Sequence, residues 1–304
     1  MPHAPSAPRR VIEWAAERDR LRAEKKFAEA DTLRNRIAAV GYSIQDSPAG
    51  PLFTLIRHPN SGAVPSRLEQ PDSVEWSVNL LARNNRDEVF RAAHSALRWG
   101  EGLSLEVVLV DNGSNDGTAE SIIELACGDE RVRPVFLAAD LGEGAGRNSG
   151  LRASVGRNII ILGGHMEIVG DVFTPLAAAL ADDAVGAAGS NGLISADLFT
   201  FEPAPTAEAD AIEFYLFAFR RERLKTVEWL DEKFAFYRNI DLDWSMSFKD
   251  KGLRLITASH LPITAHEHPY LRMDPAERDR LSKKNYRRFL DKWRDRKDLL
   301  NRGA

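Results

Sequence analysis

Two runs of residues in this 304-residue chain have the types and spacing to do chemistry. The first is Val108-Leu109-Val110-Asp111-Asn112-Gly113-Ser114-Asn115-Asp116-Gly117-Thr118. Its apolar lead delivers Asp111 to the end of a strand, and a turn rich in Gly, Ser and Asn lets backbone and ligand approach closely. Asp and Asn there can accept or donate hydrogen bonds to the flat polar edge of a base. The same residues also make an ordinary turn with an Asx cap. The second run is Asp140-Leu141-Gly142-Glu143-Gly144-Ala145-Gly146-Arg147-Asn148-Ser149-Gly150-Leu151. Its glycines permit tight approach, and Arg147 beside helix N-terminal amides suits an anionic group such as a diphosphate.

These runs need elements to hold them. From Trp76 the pattern predicts strands at 77–82, 105–110, 132–136 and 158–162, alternating with helices at 87–99, 118–126 and 144–154. Such alternation predicts an α/β fold with a mainly parallel sheet and helices on both faces. Ligands in sheets of that kind bind beyond the carboxyl ends of the strands, where both runs fall. Before this region, Val11 to Gly41 reads as two helices, with Ala30, Leu33, Ile37 and Val40 at helical spacing in the second. Residues 42–46 and 52–56 then read as a hairpin around Ser47-Pro48-Ala49-Gly50-Pro51. The expected domains are 1–58 (helical pair plus hairpin), 59–72 (a Pro/Gly-rich linker), 73–270 (the α/β unit) and 271–304 (a basic helix).

Composition narrows the classes. A net charge of −4 and a sequence pI near 6.0 give no general reason for nucleic-acid binding. Cys127 is the sole cysteine, which excludes an intrachain disulfide framework and a multi-cysteine zinc site. The first ten residues lack the apolar core of a secretory signal. No run approaches the roughly 18 apolar residues of a spanning helix. The expectation is a cytoplasmic protein with no membrane span.

The first run resembles the Val-Asp-(Asn/Asp)-Gly-Ser-x-Asp-Gly-Thr motif of family 2 glycosyltransferases, and the second resembles that family's Gly-x-x-x-Ala-Arg-Asn-x-Gly helix start. The resemblance extends from about Trp76 to Pro269. It implies the GT-A fold, which is Rossmann-like, and inverting transfer of a sugar from a nucleoside-diphosphate donor to a hydroxyl acceptor. It further implies nucleotide contacts from Ala82, Asn84, Asp111, Gly113 and Arg147, with Asp111 reading the base and Asn148 fixing the loop. Where the family carries Asp-x-Asp, holding a divalent cation, this chain has Gly163-Gly164-His165-Met166-Glu167. An Asp-x-His variant in polypeptide N-acetylgalactosaminyltransferases makes His165 a candidate metal ligand, with Glu167, His266 and His268 beside it. Imidazole plus carboxylate suits Mn2+ better than Mg2+. The missing carboxylate also suits a metal-independent enzyme, or a module that binds sugar nucleotides without transferring.

Residues 230–244 resemble the family's Phe-Asp-Glu…Glu-Asp-Val-Asp-Leu block. Counting back from Gly252 sets Asp241 on the catalytic aspartate, with Asp243 in reserve; a carboxylate there takes the acceptor's proton, or simply caps the helix. In the N-terminal segment, Leu21 to Arg34 and Asp46-Ser47-Pro48-Ala49-Gly50 resemble the C-terminal region of bacterial cysteinyl-tRNA synthetases. Arg22, Lys25, Lys26, Arg34 and Arg36 could there contact phosphates, although interleaved Glu24, Glu29 and Asp31 favour a solvated face. Residues 276–302 carry eleven Lys or Arg against five Asp or Glu. That helix reads as an amphipathic element docked on the core, or as a holder of phosphate or an anionic acceptor.

Overall fold

The computed structural model describes residues 7–258 and 260–301. Helices Arg9–Ala23 and Phe27–Ala39 pack on one another through residues such as Val11, Ala15, Ala30 and Ile37. The hairpin Tyr42–Gln45 and Leu52–Leu55 follows, paired antiparallel with Tyr42 opposite Leu55.

The large sheet has eight strands in the order Glu208–Ala209, Arg254–Thr257, Val185–Gly189, Leu216–Arg220, Gly156–Leu162, Val74–Ala82, Leu105–Asp111 and Val132–Phe136. Six share one direction; Leu216–Arg220 and Glu208–Ala209 oppose it. The sheet is thus mainly parallel, as expected. The period-2 alternation of side chains sorts two cores. Ile160, Leu162, Val107 and Leu109 face one side with helices Arg86–Trp99 and Thr118–Gly128, while Ile159 and Ile161 face the other with helix Ile240–Asp250. Helix Glu143–Ala153 covers the strands Val74–Ala82 and Leu105–Asp111. That double coverage is why Leu105–Asp111 is buried throughout and reads as an unbroken apolar run.

Helix Pro275–Trp293 docks as an amphipathic element. Asp274 caps it by accepting from Glu277 N at 2.9 Å, and Asn285, Phe289 and Trp293 are its buried face. Among the described residues no helix is long and apolar enough to cross a membrane.

Residues 59–72 do not behave as a loose linker. Ser61–Ala63 forms a 3-10 turn with Ser61 buried, and Arg67 N donates to Arg152 O at 2.8 Å. Arg221 reaches back to Arg67 O and Gln70 O, both at 2.7 Å. Pro and Gly content signals turns here, and those turns are packed against the core.

Candidate active site

A cleft of about 920 Å³ opens beyond the carboxyl ends of the parallel strands. Its first part is built by the ends of Val74–Ala82 and Leu105–Asp111, which finish level, Ala82 opposite Asp111. Asn84, in the left-handed region at φ 50°, donates its N–H to Ser114 Oγ at 3.1 Å and accepts from Asn115 N at 2.9 Å. Gly113 has φ 68°, and a Cβ there would stand 2.4 Å from Ala139 C, so only glycine fits. Arg83, Asn84, Asn112 and Asp140 line this part. Arg83 Nε pairs with Asp140 Oδ2 at 3.0 Å, and Asn112 Nδ2 donates to Asp140 Oδ1 at 3.0 Å.

Two expectations need correcting here. Asp111 does not face the cleft. Its carboxylate is fully buried behind the strand end, with Oδ1 accepting from Ser114 N at 3.0 Å and Arg57 Nη1 3.6 Å from Oδ2. Consecutive residues of extended chain point to opposite sides, so the residue that reaches the cleft is Asn112. Ala82 is likewise buried and acts through its carbonyl, which accepts from Asn112 N at 2.9 Å.

The middle part is the start of helix Glu143–Ala153. Arg147 lines the cleft and is nearly buried, with Nε on Glu143 Oε1 at 2.9 Å and its guanidinium 5.9 Å from the Phe214 ring. Asn148 turns away and donates to Leu230 O at 2.9 Å and Glu232 Oε1 at 3.0 Å, which holds the loop 230–235 against the helix. Opposite Arg147 lies His165, its ring 5.3 Å from Tyr215 and 4.3 Å from His268. Burial, reinforced by the positive Arg147, drops the His165 imidazole to about 4. Burial and the neighbouring His165 take His268 to about 3. Both rings are therefore neutral at physiological pH. Tyr270 N donates to His268 Nδ1 at 3.2 Å, which leaves the proton of the neutral ring on Nε2.

The expected metal set separates into two pairs. Glu167, on the strand Met166–Ile168, and His266, just after the strand Ile263–Ala265, bond to one another, Nε2 to Oε2 at 2.7 Å; neither side chain lines the cleft, although His266 N donates to His165 O at 2.9 Å. The ribbon strand ends at Ala265, and His268 caps the 3-10 helix Pro269–Arg272 that follows. Among the described residues no three His, Cys, Asp or Glu side chains converge as a metal site. A side chain at Gly163 would crowd its neighbours: a Cβ there would stand 3.0 Å from His165 Cε1 and 3.1 Å from Phe214 O.

The last part is formed by the start of helix Ile240–Asp250. Asn239, at φ 65°, turns the chain into the helix and sets Asp241 in the cleft wall, where Oδ1 accepts from Leu242 N at 3.0 Å. Desolvation raises the Asp241 carboxyl to about 6, opposed by backbone N–H groups and by Arg238. Glu213 lines the same wall. Burial, with the Asp241 charge adding to it, pushes Glu213 up to about 7. Nothing in the sequence marked Glu213, which stands outside every recognisable motif.

Asp243 is elsewhere. Two residues along a helix is about 200° of rotation, so Asp243 points to the opposite side from Asp241. There it accepts from Trp293 Nε1 at 2.8 Å and anchors the C-terminal helix. Its expected reserve role in catalysis is withdrawn on that geometry. Trp244 is core, packed on Phe217 and Phe219. The remaining wall is aromatic and apolar: Tyr237 stacks on Tyr270 at 4.5 Å, and Phe199, Phe201, Leu271 and Leu281 complete it.

Comparison with known proteins bears on the fold and the family. An 83-residue stretch is 42% identical to succinoglycan biosynthesis protein ExoO of Rhizobium meliloti (strain 1021), covering 27% of this chain and 23% of that protein. A 52-residue stretch is 40% identical to the cysteine–tRNA ligase of Rubrobacter xylanophilus, covering 17% of this chain and 11% of the ligase. The chain thus spans less than a quarter of the length of either relative. Among solved structures, GalNAc-T7 with UDP, GalNAc and Mn2+ superposes with a TM-score of 0.59 at 18% identity, over 74% of this chain and 50% of that one. The mannosyltransferase PcManGT of Pyrobaculum calidifontis, with GDP-Man and Mn2+, gives 0.53 at 20% identity, over 70% of this chain and 64% of that one. These likenesses identify the architecture as the GT-A fold. Residues 77–258, which hold every cleft element up to the ribbon strand Ile263–Ala265, match the family described as glycosyl transferase family 2, and the chain belongs to that family.

Proposed function

We propose that the cleft binds a nucleoside-diphosphate sugar and transfers the sugar, with inversion, to a hydroxyl acceptor. The observation that carries this is the presence of Arg147 and Asp241 in one cleft. The ends of the strands, with Arg83, Asn84 and Asn112, suit the nucleoside. Arg147 suits the diphosphate and develops its strongest interaction as negative charge grows on the leaving oxygen. Asp241 takes the acceptor's hydroxyl proton as that oxygen bonds to the anomeric carbon. The bond from carbon to diphosphate breaks on the opposite face, and its electron pair leaves with the diphosphate. Two like charges in one wall favour sharing one proton. Glu213, the weaker acid, holds it and leaves Asp241 ionised. The apolar wall facing these carboxylates suits an acceptor whose hydroxyl sits on a partly apolar body.

The residues present fit a resident divalent cation poorly: His165 and His268 bring no carboxylate, and His268 presents an N–H from Nε2 rather than a lone pair. We therefore assign the diphosphate charge to Arg147 and Arg238, both in the cleft, and route no step through a cation. A second reading gives the pair of neutral imidazoles a Mn2+ or Mg2+ ion, favoured by their 4.3 Å separation. Binding of a UDP- or GDP-sugar that is lost in chelator and restored by Mn2+ supports that second reading.

We read the N-terminal unit as a brace rather than an RNA contact. Arg22 pairs with Asp46, Lys26 with Glu24 and Arg36 with Glu130, so those cations are occupied within the fold. The short cysteinyl-tRNA-synthetase likeness then reflects a shared helical scaffold. Release of nucleoside diphosphate from UDP- and GDP-sugars by the wild type, lost in Asp241→Asn, tests the whole reading. Donor binding without release identifies a non-transferring module instead.

A further inference from the structure

The most telling unassigned feature is the buried carboxylate of Asp111. Among the described residues its Oδ2 atom has no hydrogen-bond partner, and the cation facing it comes from another part of the chain. That cation is Arg57, at the end of the N-terminal unit. We propose that Arg57 is a positioning residue for the donor site: it neutralises Asp111 and so fixes the turn 112–117 that presents Asn112 to the cleft. The proposal rests on the reading of that turn as the nucleoside end.

The geometry forms a continuous chain. Asp111 Oδ1 accepts from Ser114 N at 3.0 Å and thereby sets the turn. Arg57 Nη1 stands 3.6 Å from Oδ2 and donates to Leu137 O at 3.3 Å, so its position is fixed from the adjoining strand end. His58 is bonded there on both sides: His58 N to Phe136 O at 2.8 Å and Ala138 N to His58 O at 2.9 Å. Three residues on, Ser61 Oγ donates to Glu232 Oε1, the same oxygen that accepts from Asn148 Nδ2. The segment therefore ties together the turn at one side of the cleft and the loop leading to Phe236 and Tyr237 at the other. Tyr42 is buried in the same core cluster as Phe136, and Arg36 pairs with Glu130, which seats the whole N-terminal unit on this edge.

A buried carboxylate deprived of its cation must take up a proton or draw in water, and either change weakens the bond to Ser114 N. Asp116 adds to that pressure from the same turn. The test uses the full chain with Arg57→Ala, Arg57→Lys, Asp111→Asn and the double variant Arg57→Ala/Asp111→Asn. Amide hydrogen exchange over 112–117 and the affinities for UDP and GDP are measured. Arg57→Ala should speed exchange at 112–117 and weaken nucleotide binding, each by about tenfold, the size of losing the charge-assisted Ser114 N–H bond to the Asp111 carboxylate. Arg57→Lys should recover most of both. The double variant should also recover, because neutral Asn needs no counter-charge. Wild-type exchange in Arg57→Ala, or a double variant no better than the single, overturns the proposal. An Arg57→Ala chain that fails to fold while the double variant folds supports it; failure of both overturns it. Exchange needs no ligand, so if the wild type binds neither UDP nor GDP while exchange responds as stated, the brace stands and the donor reading falls.

Discussion

Replacing Asp241 by Asn should stop transfer and, at neutral pH, make the protein more stable. A carboxyl that titrates at about 6 when folded, against an ordinary 3.8, holds its proton more readily in the fold than in the unfolded chain. Its ionised form therefore destabilises the native state. The cost is absent below about pH 4, grows between about 4 and 6, and is complete above 6. The full difference corresponds to about 3 kcal/mol. Asp241 lies in a cleft wall open to solvent, and Asn accepts less strongly from Leu242 N–H, so about 1–2 kcal/mol should survive. For a chain of this length that raises the melting temperature by about 2–3 °C. Thermal melts of both proteins at pH 8 and pH 4.5, with diphosphate release measured in parallel, make the comparison. The gain should appear at pH 8 and shrink towards zero at pH 4.5, while wild-type transfer declines as pH falls through about 6. An Asn variant that is no more stable at pH 8, or that still releases diphosphate at the wild-type rate, refutes the assignment of Asp241 as a strained, ionised base.

Further outcomes follow from the same geometry. Gly163→Ala places a Cβ 3.0 Å from the His165 ring and should lower stability by about 1–2 kcal/mol and weaken donor binding, read by melting and calorimetry. Unchanged binding would mean that His165 does not border the donor. Asp243→Ala strands the Trp293 indole N–H and should cost about 1–3 kcal/mol in denaturant titration, yet leave diphosphate release near wild type below its melting temperature. Loss of release in that folded variant would return Asp243 to the catalytic machinery.

The sheet as far as Gly156–Leu162 was legible because its strands are dense in Val, Leu and Ile and two of its helices, Thr118–Gly128 and Glu143–Ala153, open after Gly-rich turns. Beyond it the signal faded. Val185–Gly189 is Val-Gly-Ala-Ala-Gly, a strand whose place is set by its neighbours rather than its own residues. Leu216–Arg220 enters the sheet antiparallel, which no local pattern announces. Within the site, Arg147 and Asp241 could be found from motif and spacing because each stands at a helix start. Asp111 could not be told from Asn112, since one residue's slip in register reverses the face. The histidines looked like one set because sequence spacing does not show that the chain leaves the ribbon after Ala265. Glu213 and the packing of residues 57–63 depend on long-range contacts, which a single sequence leaves invisible.

Calorimetric titration of a panel of UDP- and GDP-sugars into wild type and Arg147→Ala tests the central claim most directly. The account predicts that at least one donor binds the wild type with one-to-one stoichiometry and that Arg147→Ala weakens it by at least about tenfold, the loss of a charge-assisted contact to diphosphate. Binding that is equally tight in Arg147→Ala, or no binding of any donor to the wild type, contradicts it.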